Sequence, residues 1–146
     1  MRELPRQLTA EQLAELFEGR TVFVERLALV ENPLENAHTI LSELSDAEKK
    51  DVLDAHPAIG ARAGSARSAR EQGTDDDPEV LAELARLNAE YEAKFGFRFV
   101  VFVNRRPRRE IVPILRERLE RTREEELDTA IDELVAIARD RWRRSP

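Results

Sequence analysis

Cysteine is absent from all 146 residues. Disulfide frameworks, thiol nucleophiles, thiolate zinc sites and iron–sulfur ligation are therefore excluded together. Aromatic residues make up only 5% of the chain. No stretch approaches the roughly 20 consecutive apolar residues that a membrane-spanning helix requires, so no membrane role is predicted. The opening MRELPRQLTAEQ has no apolar secretory core and the other end carries no peroxisomal signal, which makes a cytoplasmic setting the expectation. Positive charge is the minority sign, with 24 Lys and Arg against 30 Asp and Glu for a net charge of −6. That balance disfavours nucleic acid as a partner and favours a small ligand.

Fingerprints of several large enzyme classes are missing as well. There is no phosphate-binding P-loop, no dinucleotide-binding glycine pattern and no nucleophile elbow. The run Asp75, Asp76, Asp77 lacks the alternation of a calcium loop, and two distant histidines do not form a zinc site, so no metal is expected.

What the chain does contain is helical periodicity. With 41% apolar and 37% charged residues, and neither an internal repeat nor a low-complexity linker, residues 1–146 are expected to form one domain. Thr9 with Gln12 and Ser45 with Glu48 are capping-box pairs, each opening a helix; Gly19 reads as the stop of the first. The second must end near Ala55 or His56, because the residue before Pro57 is pushed out of the helical region. Residues 21–30, TVFVERLALV, mix β-branched and helical signals, whereas Leu34, Ala37, Leu41 and Leu44 form a clear helical stripe. Residues 57–77, which hold three of the five glycines, read as an irregular segment, and loops of that length in a compact domain are commonly either functional or disordered. Asp77 and Pro78 then open the strongest helix, with Val80, Leu84, Leu87, Tyr91 and Phe95 on one face and Gly96 past its end.

Phe97–Val103, FRFVVFV, has the propensity of a strand but no evident partner, unless TVFVERLALV pairs with it. A lone strand would leave backbone groups unpaired, so a buried extended connector between helices is expected. The helix that follows carries Ile111, Leu115 and Leu119 and tolerates Pro113 only in its first turn. Thr122 and Glu125 cap the last helix, whose apolar face runs through Leu127, Ala130, Ile131, Leu134 and Ala138 into Arg141. The expected fold class is thus all-α: a single compact multi-helix domain with a short extended connector and no substantial sheet.

Four places can carry chemistry. His38 lies in a helical stripe and reads as a surface or boundary residue, whereas His56 at a helix C-terminus would feel a partial negative charge that favours the imidazolium and suits a proton donor. Ser68, Glu71 and Gln72 in SAREQ serve equally as a helix cap or as a hydroxyl, carboxylate and amide converging on a polar ligand. Arg141 on an apolar face either snorkels at a helix end or points its guanidinium into a pocket to bind a carboxylate. The basic cluster Arg105, Arg106, Arg108 and Arg109 has no interleaved aromatics, which weakens a polyanion role.

HPAIGARA at 56–63, SAREQ at 68–72, LNAEYEAKFGFRFVVFVNRRPR at 87–108 and IARDRW at 137–142, in this order and spacing, closely resemble the family of 2-oxo-4-hydroxy-4-carboxy-5-ureidoimidazoline (OHCU) decarboxylases. The resemblance implies an all-helical, cofactor-free and usually dimeric carboxy-lyase of urate degradation that converts OHCU to (S)-allantoin, and it favours the connector over the strand. It also implies catalytic roles for His56, Glu71 and Arg141. Substrate contacts are implied at Pro57, Ser68, Gln72 and the connector residues Val101, Phe102, Val103 and Arg105, largely through backbone groups. The family's usual small residue in the basic turn is here Arg105, and GTDDD after SAREQ is a compact loop. Two alternatives stay open: a related enzyme acting on another ureido or imidazoline substrate, and a non-catalytic helical module using the basic cluster.

Overall fold

Capping chemistry sets the helix boundaries. The computed structural model describes residues 3–57, 59 and 77–144, and among these it contains helices and no strand. Helix α1 (Ala10–Leu16) opens on the reciprocal Thr9–Gln12 capping box and α4 (Asp46–Asp54) on that of Ser45 and Glu48. α5 (Pro78–Phe95) opens on Asp77 and closes on Gly96 at φ +80°. α7 (Arg123–Arg144) opens on the reciprocal Thr122–Glu125 bonds.

The ambiguous 21–30 stretch is helical over α2 (Val22–Leu27), because the Thr21 side chain accepts the Val24 amide and caps it. Among the described residues, FRFVVFV therefore has no strand to pair with. α3 (Pro33–Ser42) follows the predicted stripe. In α6 (Arg108–Leu119) the structure departs from expectation: the helix begins at Arg108, so Pro113 is its sixth residue rather than part of the first turn. The ring sits on the exposed face, where the missing amide costs least. At the end of α1 the left-handed residue is Glu18, at φ +62°, and not Gly19; the Gly19 amide donates to the Ala14 carbonyl (3.0 Å), closing a Schellman turn.

α7 is the spine of the domain, packing against α1, α3 and α4, while α5 packs on α6. Leu13, Phe23, Leu27, Leu34, Leu84, Ile111 and Leu134 are fully enclosed between them. Near the two ends of the described chain, the Trp142 indole donates to the Glu3 carbonyl (2.7 Å).

Connector residues Phe97, Phe99, Val100, Val101 and Val103 are buried, so both sides of this extended segment face protein. With no neighbouring strand, side chains take the place of a sheet. Asp54 accepts the Arg98 amide (3.0 Å), Arg118 donates to the Val100 carbonyl (2.9 Å), and Arg106 donates to the carbonyls of Phe102 (2.7 Å) and Val103 (2.9 Å). Arg118 is itself buried, stacked over Phe99 at 4.6 Å and paired with the fully buried Glu126 at 2.7 Å. Glu126 also takes Arg121 (2.8 Å) and the Tyr91 hydroxyl (2.7 Å). The Val103–Arg106 turn that ends the connector places Asn104 (φ +50°) and Arg105 (φ +64°) in the left-handed region.

Two opposite stability effects are expected. Glu126→Gln leaves two arginines around a buried site without their counter-charge and should destabilise by about 3–5 kcal/mol. Arg105→Gly relieves a left-handed side chain and should stabilise by about 0.5–1 kcal/mol, a rise of a few degrees in Tm. Thermal melts of the two variants check both signs.

Candidate active site

His56 is the first residue beyond the cap of α4, whose C-cap is Ala55. Pro57 stops the helix there, and the chain turns inward. The imidazole is buried and, among the described residues, its Nε2 has no hydrogen-bond partner. Contrary to the imidazolium expected from a helix end, the ring is held neutral, with its pKa pushed down to about 3. Burial is the largest cause, followed by the positive charge of Arg141; the Glu18 carboxylate opposes them, and Arg98 adds a further push downward. Arg98 also accounts for the lost dipole effect. Its guanidinium donates to the terminal carbonyls of Asp54 (3.0 Å) and His56 (2.6 Å), covering with positive charge the carbonyls that were expected to favour a proton.

Arg141 lies on the buried face of α7, as its spacing from Leu134 and Ala138 requires. It does not snorkel. Its side chain is 2% exposed, donating from Nη1 to the Leu16 carbonyl (3.0 Å) and pairing through Nη2 with Glu18 at 3.1 Å. The last turn of α1 therefore grips the guanidinium from a carbonyl and a carboxylate at once. Gly19 follows directly, and a Cβ built there would lie 3.4 Å from that of Ala55, which shows how closely the ends of α1 and α4 approach beside His56.

Three residues of this region were not singled out from sequence. Glu18 was hidden by the assumption that Gly19 was the helix stop. Arg98 was hidden by its apolar neighbours in FRFVVFV, although a lone cation in such a run is itself a signal. Asn88 occupies the apolar face of α5, where its Nδ2 donates to the Ile59 carbonyl (3.0 Å) and its buried Oδ1 has no partner among the described residues. It ties α5 to the chain just after His56 and Pro57.

The predicted residues fall into distinct groups. His56 and Arg141 are brought into electrostatic contact, with Pro57 next in the chain. Val101 and Val103 are buried and Phe102 half-buried, whereas Arg105 is exposed on its strained turn. Ser68, Glu71 and Gln72 lie outside the described residues. His38 is an exposed surface residue, one of the two expected outcomes (surface or boundary), paired with Asp132 at 2.8 Å. A separate open cavity of about 490 Å³ lies along α7, lined by Phe102, Ala136, Arg139, Asp140, Arg143 and Arg144; among the predicted residues it shares only Phe102 with the site. Among the described residues, no three His, Asp or Glu side chains form a metal-ligand group.

A depressed histidine pKa links the site to folding. The unfolded chain takes up the His56 proton near pH 6.5 and the folded chain only near 3, so His56 contributes stability that is complete above about pH 6.5 and is lost as pH falls toward 3. The slope from this single proton is at most about 1.4 kcal/mol per pH unit. In urea titrations between pH 7 and 4, His56→Gln should lose stability less steeply than wild type by about that amount; parallel curves would show that the ring is not buried and neutral.

Comparison with known proteins adds an independent line. The family model for OHCU decarboxylase matches residues 2–143. The uric acid degradation bifunctional protein PucL of Bacillus subtilis (strain 168) is 29% identical over 150 residues, which cover 95% of this chain and 30% of that longer protein. The OHCU decarboxylase of Amia calva is 29% identical over 154 residues, covering 90% of this chain and 88% of that one. A crystal structure of OHCU decarboxylase in the presence of (S)-allantoin superposes with a TM-score of 0.74 at 26% identity, over 89% of this chain and 94% of that one. With the family model spanning nearly the whole chain and the helical fold shared, this protein belongs to the OHCU decarboxylase family.

Proposed function

We propose that this chain is a carboxy-lyase that converts OHCU to (S)-allantoin in urate degradation, works without metal or organic cofactor, and acts in the cytoplasm as a homodimer. The observation that carries the reading is a buried, neutral His56, its Nε2 without a hydrogen-bond partner among the described residues, under the positive charge of the enclosed Arg141 guanidinium. Membership of the family and the names of the relatives support the choice of substrate.

The chemistry needs no electron carrier. Loss of CO2 from C4 of OHCU leaves an electron pair, which forms the C4–C5 double bond as the adjacent ring C=N shifts its π pair onto nitrogen. That nitrogen takes a proton. The resulting enol becomes allantoin when C5 gains a proton on one face and the C4 hydroxyl gives up its own, so the net change is uptake of one proton and release of CO2. The protein has to orient the substrate, balance charge and move protons.

A neutral imidazole suits the accepting role. His56 Nε2 takes the hydroxyl proton, and the substrate's own negative charge beside the ring raises its proton affinity once bound. Glu71 shares the proton handling, and Arg141 faces the carboxylate. Pro57, Ser68, Gln72 and the connector backbone from Val101 to Arg105 complete the substrate contacts in this scheme. Support for those contacts comes from the family's motifs.

OHCU freshly generated from urate should disappear faster in the presence of the protein and yield optically active allantoin, with activity unchanged after exhaustive chelation. Decay at the spontaneous rate, or racemic product, would exclude the proposal. His56→Asn should lower turnover by about 10²- to 10⁴-fold. Arg141→Lys should lower it too, because a point ammonium cannot reproduce the planar fork that Leu16 and Glu18 hold. Arg141→Met, which strands the Glu18 carboxylate, should destabilise the fold as well.

A further inference from the structure

Glu18 is costly where it stands. A non-glycine residue at φ +62° sits about 1 kcal/mol or more above its relaxed backbone, at the helix position where glycine is the usual choice. Its carboxylate is largely buried, which adds a desolvation cost, and both costs are met by the Arg141 guanidinium at 3.1 Å. The backbone conformation is what aims the carboxylate at Arg141: residue 18 follows the C-cap Phe17, and the left-handed turn carries its side chain toward α7. Leu16, two residues earlier, holds the other arm of the same guanidinium through its carbonyl. Strain held at one residue by contact with another is a frequent mark of functional sites.

From this geometry we infer that Glu18 is a positioning residue for the decarboxylation, holding the Arg141 guanidinium in one orientation and partly offsetting its charge. This inference rests on the decarboxylase reading. An uncompensated arginine would bind the ground-state carboxylate tightly and oppose its conversion to neutral CO2, since only interactions stronger in the transition state accelerate the step. An arginine already shared with a carboxylate binds the substrate less tightly at the start and is still fixed in place when charge moves from the carboxylate into the ring. Glu18 touches no reacting atom in this scheme; it acts through Arg141.

Glu18→Gln keeps the shape and removes the charge. With OHCU as substrate and folding verified by circular dichroism, kcat should fall at least 10-fold while KM stays equal or decreases. A merely structural role would lower Tm with kcat per folded molecule intact. If Glu18→Gln fails to fold, Glu18→Asp, which keeps the charge on a shorter arm, is measured in its place, with a loss in kcat of at least threefold expected. Wild-type kcat in whichever folded variant is measured, or a loss confined to a higher KM, overturns the inference. Titration with (S)-allantoin in parallel separates the two levels. Wild-type protein that binds (S)-allantoin but leaves OHCU at its spontaneous rate removes the decarboxylase reading. In that case at least a threefold change in (S)-allantoin affinity in the variant supports Glu18 as a positioner of Arg141, and an unchanged affinity overturns it. Wild-type protein that does neither overturns both.

Discussion

An extended segment buried among helices has to find partners for backbone groups that no strand provides, and much of this architecture answers that need. Three ionisable side chains from three places in the chain, Asp54, Arg106 and Arg118, converge on the backbone of residues 97–103, while Arg98 within the segment reaches out to the end of α4. Arg118 reaches the Val100 carbonyl only because Glu126 neutralises it, and Glu126 is held in turn by Arg121 and Tyr91. The half-buried Glu133 belongs to the same arrangement: burial pushes its pKa up, while a bond from the Phe102 backbone and the nearby arginines pull it back. A charged network of this kind adds little net stability over an apolar core of equal volume. What it supplies is one path for a segment that would otherwise have no reason to hold a single conformation.

The same segment holds the end of α4 beside His56. Arg98 belongs to the connector, yet its guanidinium binds the carbonyls at the end of α4, so the orientation of His56 and the course of residues 97–103 are mechanically one object. Arg141 is fixed by α1 in a comparable way. The site thus draws on α1, α4, α7 and the connector, and no single element carries it.

Local chemistry was readable from the sequence and long-range chemistry was not. Capping pairs such as Thr9–Gln12 and Ser45–Glu48 act over three residues, and they set helix starts correctly. Periodicity alone put Arg141 on the apolar face of α7, but its choice between snorkelling and burial depended on Leu16 and Glu18, far away in the chain. The protonation of His56 was misread because burial and the distant Arg141 outweigh its nearest influence in sequence, the helix end, and Arg98, 42 residues away, adds to them. Glu18 was missed because a helix that could stop on glycine stops on glutamate, a choice that makes sense only once Arg141, 123 residues further on, is seen beside it. Pro113 was misplaced for a smaller reason: helix α6 begins at Arg108, and sequence fixes helix ends less well than helix existence.

The hydrogen bond from the Trp142 indole to the Glu3 carbonyl has a topological consequence. It brings the two ends of the described fold side by side, so the domain presents both of its attachment points on one patch of surface. A unit built this way can be joined to a neighbour at either end, or re-cut so that old ends are linked and new ones opened in a loop, without rerouting chain across the core. A similarity that covers 30% of a longer bifunctional Bacillus protein is the kind of reuse that such geometry permits, and a short linker between residues 3 and 142 would give a circular order of the same helices.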